Sequence, residues 1–518
     1  YERAKKEKSY YQIVKKRIED EDADRVRQFI LDEKIKGGIS LEEDTKRYYP
    51  YGKLASTVLG FVGEDNTGLS GIESYYNKIL SGTPGRIVSA KNAWGSDMPY
   101  KYEQMFEAKN GNSLVLTINS VIQMFVEKHL ETAVKEHDVR NRAFCIVMEI
   151  KTGRVLAMST KGDYDPNEPF VIYDPNAQKR LDELEKGSDE YYAQLKIEQE
   201  LQWRNKAVSD PYEPGSVFKI ITASSALEEN VVTANSTFTC NGYINVAGNN
   251  IKCWRYPRNH GTQTLAQTLQ NSCNPAFIMI GQKLGGALFY KYFDNFGLNK
   301  KTGIDIPGEA DNAGLVHSLY SLTELGSESL SYLSSSAFGQ TFKVTPIQLI
   351  TAISGILNGG NLMKPYIVEQ QLDSDGNIVE VTSPQVVRQV VSENTSKQMA
   401  NFLEQVVELG SGRYAKVKGY RIGGKTGTSE KLDSGDKSAR ISSFLGFAPA
   451  DDPQVAVLLA LDEPHSDSVY GSVIASPVVG NILADILPYL GIEPQYSEDE
   501  LSSMEMSVPY LLGENPYE

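Results

Sequence analysis

The segment "EPGSVFKIITASSALEE", residues 213–229, places a Ser directly after a Pro-Gly pair and a Lys three positions further on. Pro and Gly favour a turn before a helix, and a Ser at a helix start can satisfy free backbone N–H groups. Residues three apart lie on one helix face, with Cβ atoms about 5–6 Å apart. The segment therefore predicts a helix start in which Ser216 and Lys219 are neighbours.

Two interpretations of this pair are open. Ser216 is a capping residue and Lys219 an unrelated neighbour, or Ser216 is a nucleophile and Lys219 its base. A hydroxyl attacks well only when a base removes its proton, and a buried Lys can be that base in its neutral form. A helix N-terminus also aims N–H groups at a developing oxyanion.

Two further polar groups lie downstream. "LQNSCNPAF", residues 269–277, contains Ser272 and Asn274, which can share one face of a tight turn. "GGKTGTSE", residues 423–430, contains Lys425, Thr426, Gly427 and Thr428, and a Lys with two hydroxyls suits a carboxylate. Each group alone also fits an ordinary turn or strand.

The tripeptide Lys-Thr-Gly occurs twice and is weak evidence by itself. Lys151, Thr152 and Gly153 repeat it, but they precede Ser216 and lie between two strand-like segments. We predict that this copy is a hairpin turn.

The order of the three groups is far more specific than any one of them. Ser-x-x-Lys is followed after 56 residues by Ser-x-Asn and after a further 153 residues by Lys-Thr-Gly-Thr. This set resembles that of the penicillin-recognising serine acyl-transferases. Over nearly its whole length the chain resembles the class B penicillin-binding proteins, as in "RYYPYGKLASTVLGFVG", "WRNKAVSDPYEPGSVFK" and "AFGQTFKVTPIQL".

The resemblance implies a role for each matching residue. Ser216 would be the nucleophile, Lys219 the general base and Ser272 the relay toward the leaving amine. Asn274 would orient the donor peptide and Lys425 would support the relay. The remaining implied substrate-binding residues are Thr426, Gly427 and Thr428, and the N–H groups of Ser216 and Thr428 would form the oxyanion hole.

The implied function is peptidoglycan cross-linking by a serine D-Ala-D-Ala transpeptidase. The substrates would be peptidoglycan stem peptides, and β-lactam antibiotics would acylate the same Ser. Two other classes share the three motifs: a β-lactamase-like hydrolase and a β-lactam-binding sensor. The acyl-transfer chemistry requires no cofactor.

The fold expected is α+β. Strand-like segments lie near both ends of the second unit and helical patterns dominate residues 216–358, so one sheet is assembled from the two ends. Residues 178–202 are charged and helix-prone, and we expect them to form a solvated excursion. The resemblance implies a transpeptidase/β-lactamase-like domain, an antiparallel sheet flanked by helices. We predict a non-catalytic, dimerisation-type pedestal at residues 1–110, the transpeptidase domain at 111–495, and a tail at 496–518. Within this tail, "SVPYLLGENPYE", residues 507–518, resembles the start of a truncated PASTA module.

Composition and resemblance together bound the partners. The net charge of −15 argues against nucleic acid. The resemblance implies a cell-membrane protein with an extracytoplasmic catalytic domain and an anchor upstream of residue 1. Cell-wall synthesis proteins such as a glycosyltransferase are expected partners, in division, elongation or sporulation.

Three cysteines and a histidine form a separate group: Cys240, Cys253, His260 and Cys273, spaced C-x12-C-x6-H-x12-C. Four N/S ligands suit tetrahedral zinc, although zinc fingers use closer pairs. Three interpretations are open: independent buried thiols, a Cys253–Cys273 or Cys240–Cys253 disulfide, or a structural zinc site that stiffens the turn containing Cys273.

Overall fold

The computed structural model describes residues 12–42, 44–88, 104–432, 434–436, 438–496 and 500. The N-terminal part contains α1 (Asp20–Asp32), α2 (Ser56–Leu59), α3 (Gly71–Tyr75), α4 (Asn77–Leu80), β1 (Arg86–Val88) and β2 (Gln104–Phe106). β1 and β2 pair antiparallel. The predicted PASTA-like segment at 507–518 lies outside the described residues.

Strands near both ends of the following unit build its sheets. They are β3 (Ser113–Leu116), β4 (Arg142–Glu149), β5 (Val155–Thr160), β6 (Thr237–Cys240), β7 (Tyr243–Val246), β8 (Asn249–Lys252), β9 (Gly261–Thr264), β10 (Asn361–Met363), β11 (Val368–Leu372), β12 (Ile378–Val381), β13 (Val386–Gln389), β14 (Gly423–Glu430), β15 (Arg440–Ala448) and β16 (Val455–Asp462).

Helices occupy most of the sequence between these strands. They are α5 (Ser120–Glu136), α6 (Pro175–Asp182), α7 (Asp189–Trp203), α8 (Lys206–Ser209), α9 (Lys219–Glu228), α10 (Leu265–Gln270), α11 (Asn274–Leu284), α12 (Gly286–Asn295), α13 (Leu319–Thr323), α14 (Ser327–Ser336), α15 (Pro346–Leu357), α16 (Glu393–Leu409), α17 (Gly471–Ile474) and α18 (Ser476–Tyr489).

The main sheet has five antiparallel strands in the order β14-β15-β16-β4-β5. The predicted union of the two ends of the unit is confirmed, since β16 pairs directly with β4. Because the order ends at β14, the strand that contains Lys425 is an edge strand of this sheet. One side of β14 is therefore free of strand neighbours within the sheet.

Both faces of the sheet are covered, which explains its continuous apolar strands. Successive side chains of a strand point to opposite faces. Along β4, Ile146 and Met148 join one core with α9 and α15, whereas Cys145 and Val147 join another with α5 and α18. Helices therefore cover both faces of the sheet, and this is the α+β arrangement expected from the sequence.

The small strands were not predicted from the sequence. β6 pairs with β9 and β7 pairs with β8, so these four strands form two two-stranded ribbons. β10 pairs with β13, and β12, β11 and β3 form a three-stranded sheet in that order. These strands are three to five residues long. β8, β12 and β13 are largely exposed, whereas Leu362 and Met363 of β10 are buried. Strands this short give too little alternation to be recognised, so the helical prediction for residues 216–358 missed the ribbons between Thr237 and Thr264.

The predicted charged excursion at residues 178–202 forms most of α6 and α7. It is anchored more firmly than expected, because Glu198 is buried and accepts two hydrogen bonds from Arg180, each 2.8 Å long. Gln202 also donates to the backbone oxygen of Pro169 at 2.9 Å. The excursion is therefore part of the packed structure.

The N-terminal part packs against the unit that follows. Tyr49, Phe61 and Tyr164 form a small buried aromatic cluster with Trp203 beside it. The backbone N–H of Ala55 donates to a carboxylate of α5 at 2.8 Å. Contacts of both kinds join the two parts, while the domain limits at 110 and 495 stay predictions.

One helical stretch is long and apolar enough to cross a membrane, Gly471–Tyr489, with a mean hydropathy of 1.4. It is 61% buried within the protein and packs on the main sheet. Core helices of this kind pass the same length and composition test. We assign it to the core of the described part of the chain.

Candidate active site

Ser216 lies in a 3-10 turn, Gly215–Phe218, directly before α9. It is the N-cap neither of that turn nor of α9, whose N-cap positions are Pro214 and Phe218. The capping interpretation of Ser216 is therefore wrong. Its side chain lines a cleft instead.

The conformation of this turn requires a glycine at position 215. Its φ of +54° belongs to the left-handed region that favours Gly. A Cβ atom at this position would also lie 2.9 Å from the Cβ of Ser429 in β14. Gly215 thus allows the turn to approach the edge strand closely.

Lys219 is fully buried and forms three hydrogen bonds across the cleft. Its Nζ donates to the backbone oxygen of Ser272 at 2.7 Å, to Ser272 Oγ at 3.1 Å and to Asn274 Oδ1 at 2.7 Å. Among the described residues, no hydrogen bond joins Lys219 to Ser216 Oγ. The expected Ser–Lys contact is replaced in this structure by contacts to the second motif, and such catalytic bonds often form only with substrate present.

Ser272 and Asn274 are held in a tight turn. Ser272 has a φ of +49°, which is uncommon for a residue other than Gly. Asn274 is the first residue of α11, and Pro275 follows it at a position where helices tolerate Pro. The turn directs both polar groups at the same amine, that of Lys219.

Lys425, in β14, approaches Ser272 from the other side. Its Nζ donates to Ser272 Oγ at 2.9 Å and to the backbone oxygen of Thr426 at 3.0 Å. The hydroxyl of Ser272 therefore bridges two lysine amines. This is the geometry required of a proton relay.

Burial changes the acid–base character of both lysines. Desolvation disfavours a buried ammonium, and it lowers the pKa of Lys219 to about 7, against the opposing influence of the Cys273 and Cys253 thiols. Burial also lowers the pKa of Lys425 well below its usual range, and the charge of Lys219 lowers it further. The neutral form of both amines is therefore favoured relative to that of an exposed lysine, and Lys219 can accept a proton near neutral pH.

The other residues of the third motif lie along the same strand. Thr426 Oγ1 is 2.9 Å from Ser411 Oγ, and Thr428 Oγ1 accepts a hydrogen bond from the N–H of Gly471 at 2.9 Å. Gly427 lies between them, opposite Ser443 of β15. The two threonines line the cleft.

The cleft has a volume of about 420 Å³ and contains residues from all three motifs. Sequence reasoning missed many of its other lining residues, among them Trp254, Gln340, Ser411 and Tyr470. Gln340 lies in a segment that carried the family resemblance, "AFGQTFKVTPIQL". The other three stand in no recognisable motif, and only the folded chain brings them to the cleft.

The repeated tripeptide behaves as predicted. Lys151 and Thr152 occupy the turn between β4 and β5, and Gly153 has a φ of +80°. Lys151 is exposed and pairs with Asp452 at 2.8 Å on the surface. This second Lys-Thr-Gly is a hairpin turn.

The three cysteines and the histidine converge beside the Ser272 turn. One potential ligand atom from each of Cys240, Cys253, His260 and Cys273 lies within 4.8 Å of all the others. All the cysteines of the chain are free, so the structure does not contain either disulfide that we considered. A hydrogen bond from Cys253 lowers the pKa of the Cys273 thiol.

The fold and the site define a penicillin-recognising serine acyl-transferase, with an α+β domain whose Ser-x-x-Lys, Ser-x-Asn and Lys-Thr-Gly motifs meet in one cleft. Residues 143–484 match the penicillin-binding protein transpeptidase domain, and residues 1–116 match the penicillin-binding protein dimerisation domain. The chain belongs to the class B penicillin-binding proteins.

A curated relative is Stage V sporulation protein D of Bacillus subtilis, 38% identical over 485 residues that cover 92% of this chain and 70% of the relative. Among solved structures, a peptidoglycan synthetase from Bifidobacterium adolescentis has a TM-score of 0.73 at 26% identity, covering 92% of this chain and 79% of that one. Penicillin-binding protein 3 of Mycobacterium tuberculosis with ampicillin has a TM-score of 0.71 at 26% identity, covering 88% and 91%.

Proposed function

We propose that this protein cross-links peptidoglycan as a serine D-Ala-D-Ala transpeptidase. The observation that carries the proposal is the bridge from Lys219 through Ser272 Oγ to Lys425, in a cleft that also contains Ser216. Two buried amines on one hydroxyl form a proton path from a nucleophile to a leaving group. Family membership supports the same reaction.

In the acylation step, Ser216 Oγ attacks the carbonyl carbon of the penultimate D-Ala of a stem peptide. Its proton passes to the neutral amine of Lys219, and a bond forms between Oγ and the carbonyl carbon. The carbonyl oxygen becomes an oxyanion, which the N–H groups of Ser216 and Thr428 would stabilise. The pKa of about 7 for Lys219 suits this role at neutral pH.

Collapse of the tetrahedral intermediate breaks the C–N bond and releases D-Ala. The leaving nitrogen takes a proton from Ser272 Oγ. The Lys219 ammonium returns a proton to this hydroxyl and becomes neutral again, while Lys425 supports the hydroxyl from the other side. An amine of a neighbouring stem peptide then attacks the ester. Its proton returns along the same path to Ser216 Oγ, and the cross-link is complete.

Substrate binding would use the edge of the main sheet. An extended peptide can pair with the free side of β14, a common mode of peptide recognition. Its terminal carboxylate would be bound by the hydroxyls of Thr426 and Thr428, and Ser411, 2.9 Å from Thr426 Oγ1, would join them. Asn274 would hold the peptide backbone of the donor. A β-lactam would occupy the same cleft and acylate Ser216.

This chemistry uses only amines, hydroxyls and backbone N–H groups of the chain, and no cofactor takes part in a bond-making step. The Cys/His cluster is therefore assigned no chemical step. A zinc ion bound there would be structural.

Cellular context comes from the family. The chain would act at the outer face of the cell membrane and would cooperate with a glycosyltransferase that makes the glycan strands. Residues 1–110 would serve as a pedestal for such partners. The similarity to a sporulation protein makes sporulation the favoured setting.

Labelling with a fluorescent penicillin tests the nucleophile. Ser216→Ala should abolish covalent labelling because no other hydroxyl replaces Oγ in the path. Ser224→Ala is the matched control: this buried Ser lies on α9 and bonds only within its own helix, to Ile221 O at 3.0 Å. Mass mapping should locate the adduct on the peptide containing Ser216, and undiminished labelling of Ser216→Ala would contradict the assignment.

The lifetime of the acyl-enzyme separates the classes of function. A transpeptidase should keep the penicillin adduct and, with a D-Ala-D-Ala stem peptide plus an acceptor amine, release D-Ala and form the cross-linked product. Rapid release of hydrolysed penicillin would identify a hydrolase. A stable adduct without D-Ala release would identify a sensor.

A further inference from the structure

We propose that Cys240, Cys253, His260 and Cys273 bind one structural Zn²⁺ that fixes the turn containing Ser272 and Asn274. The four residues come from four separate places: the end of β6, the residue after β8, the residue before β9, and the residue before α11. They lie on separate elements of the segment 240–273, yet one ligand atom of each lies within 4.8 Å of the rest.

The spacing of the ligand atoms matches a tetrahedral zinc site. Zn–S bonds of about 2.3 Å and Zn–N bonds of about 2.0 Å place ligand atoms about 3.5–3.8 Å apart in a tetrahedron. Cys253 Sγ and His260 Nδ1 are 3.4 Å apart, which is close to the sulfur–nitrogen spacing expected for two ligands of one zinc ion. The other ligand atoms, all within 4.8 Å of one another, would approach by about 1.3 Å at most to complete the tetrahedron.

The chemistry of the ligand set favours zinc over harder cations. Three thiolates and one imidazole form a closed Cys₃His set, which leaves no position for substrate or water and is typical of structural zinc. Cys240, Cys253 and Cys273 are at most 2% exposed. Calcium and magnesium require oxygen ligands, and no carboxylate belongs to this cluster in the described part of the chain.

A bound metal would stabilise the short strands that surround the four ligand residues. The ribbon of β6 with β9 and the ribbon of β7 with β8 have only two strands each, and two-stranded ribbons are marginally stable on their own. Phe238 and Val246 are the buried apolar side chains of these strands apart from the Cys240 ligand. These side chains belong to the main hydrophobic core, and a bound metal would add folding free energy to that packing.

The second half of the proposal concerns the turn, and it rests on the proposed function. Cys273 lies between Ser272 and Asn274, the two residues whose oxygens contact Lys219. Ser272 adopts a positive φ that surrounding structure must maintain. A metal bound to Cys273 would fix the backbone between the two catalytic groups, so Cys273 is a positioning residue.

Metal content tests the site directly. Protein purified without chelator should contain about one zinc per chain by mass spectrometry of the metal, and Co²⁺ exchanged into it should show the visible absorption of a tetrahedral cobalt–thiolate centre. His260→Ala, at a half-buried position, and Cys240→Ser should lose the metal. Cys145→Ser, in the main sheet and outside the cluster, should keep it.

Two results would overturn the site. One is wild-type protein without metal and with four titratable thiols under denaturing, non-reducing conditions. The other is metal-free protein with only two titratable thiols, which would identify a disulfide instead. Because wild type is measured, neither result depends on how well a variant folds.

The positioning role has a separate test. Removal of zinc by a chelator should slow acylation by fluorescent penicillin about tenfold or more, since small displacements of catalytic groups cost that much or more, and added Zn²⁺ should restore the rate. The same treatment should leave Cys145→Ser as sensitive as wild type. Full acylation after complete zinc removal would refute the positioning role.

Ser216→Ala separates this proposal from the proposed function. The variant should bind zinc at the wild-type ratio while failing to acylate. If instead wild type carried zinc but no residue of the cleft were acylated, the proposed function would fail and the metal site would stand.

Discussion

The rate of acylation should follow the protonation of Lys219. Only the neutral amine can accept the proton of Ser216 Oγ, and burial lowers the pKa of this lysine from 10.5 to about 7. Raising the pH converts the ammonium to the amine, so the rate should increase with pH and level off above the pKa. Lowering the pH should have the opposite effect.

The size of the effect follows from that pKa. About half of the Lys219 side chains are neutral at pH 7, about a tenth at pH 6 and about a hundredth at pH 5. The acylation rate should therefore fall about tenfold for each unit of pH below 6. An exposed lysine with a pKa of 10.5 would be neutral in only about three of ten thousand molecules at pH 7, so burial increases the active form more than a thousandfold.

The assay is the second-order rate constant for acylation by a fluorescent penicillin between pH 5 and 9, with the folded fraction measured at each pH. Lys219→Met should be inactive throughout. Lys206→Met is the matched control: burial lowers the pKa of this lysine too, but it donates to the backbone oxygen of Lys161 outside the cleft. Its pH profile should equal that of wild type.

A rate that stays constant between pH 5.5 and 8 would refute the reasoning, because a base with a pKa near 7 must titrate in that range. A rise confined to pH above 9 would show that Lys219 keeps the pKa of an exposed lysine. A wild-type profile in Lys219→Met would assign the base to another residue.

Two further predictions use pairs of equivalent positions within the chain. Lys425→Met should slow acylation about a hundredfold, the scale of a lost acid–base group, whereas Lys151→Met, in the surface copy of Lys-Thr-Gly, should leave the rate unchanged; equal effects would contradict the assignment. Gly215→Ala should lower the free energy of unfolding by more than 2 kcal/mol, because a φ of +54° and a Cβ contact at 2.9 Å both oppose it. Gly376→Ala, with a φ of +84° and nothing within 4 Å, should cost only about 1 kcal/mol in urea unfolding; equal losses would show that the close contact is unimportant.

Several features of the fold could be predicted from the sequence alone. The runs that became β4, β15 and β16 are rich in apolar residues, and their positions near both ends of the unit implied one sheet built from the two ends. That prediction is confirmed by the pairing of β16 with β4. The ribbons β6–β9 could not be predicted, because they are short, polar and held by contacts outside their own sequence.

The candidate site, too, was predicted from the sequence only in part. The order and spacing of the motifs singled out Ser216, Ser272 and Lys425, since these residue types in this order are typical of the penicillin-recognising serine acyl-transferases. The sequence also predicted a direct contact between Ser216 and Lys219, because they are three residues apart. The structure instead directs Lys219 at Ser272 and Asn274, which local helix geometry could not reveal.

The sequence by itself determined the family, the class of reaction and the residues able to perform it, because those depend on side-chain chemistry in a fixed order. Only the tertiary structure decided which groups meet. Lys219 and Lys425 are 206 residues apart and meet on one hydroxyl, and three cysteines and a histidine from separate turns converge beside it. Such contacts depend on how the sheet and helices pack, and burial within that packing is what lowers the pKa of both lysines.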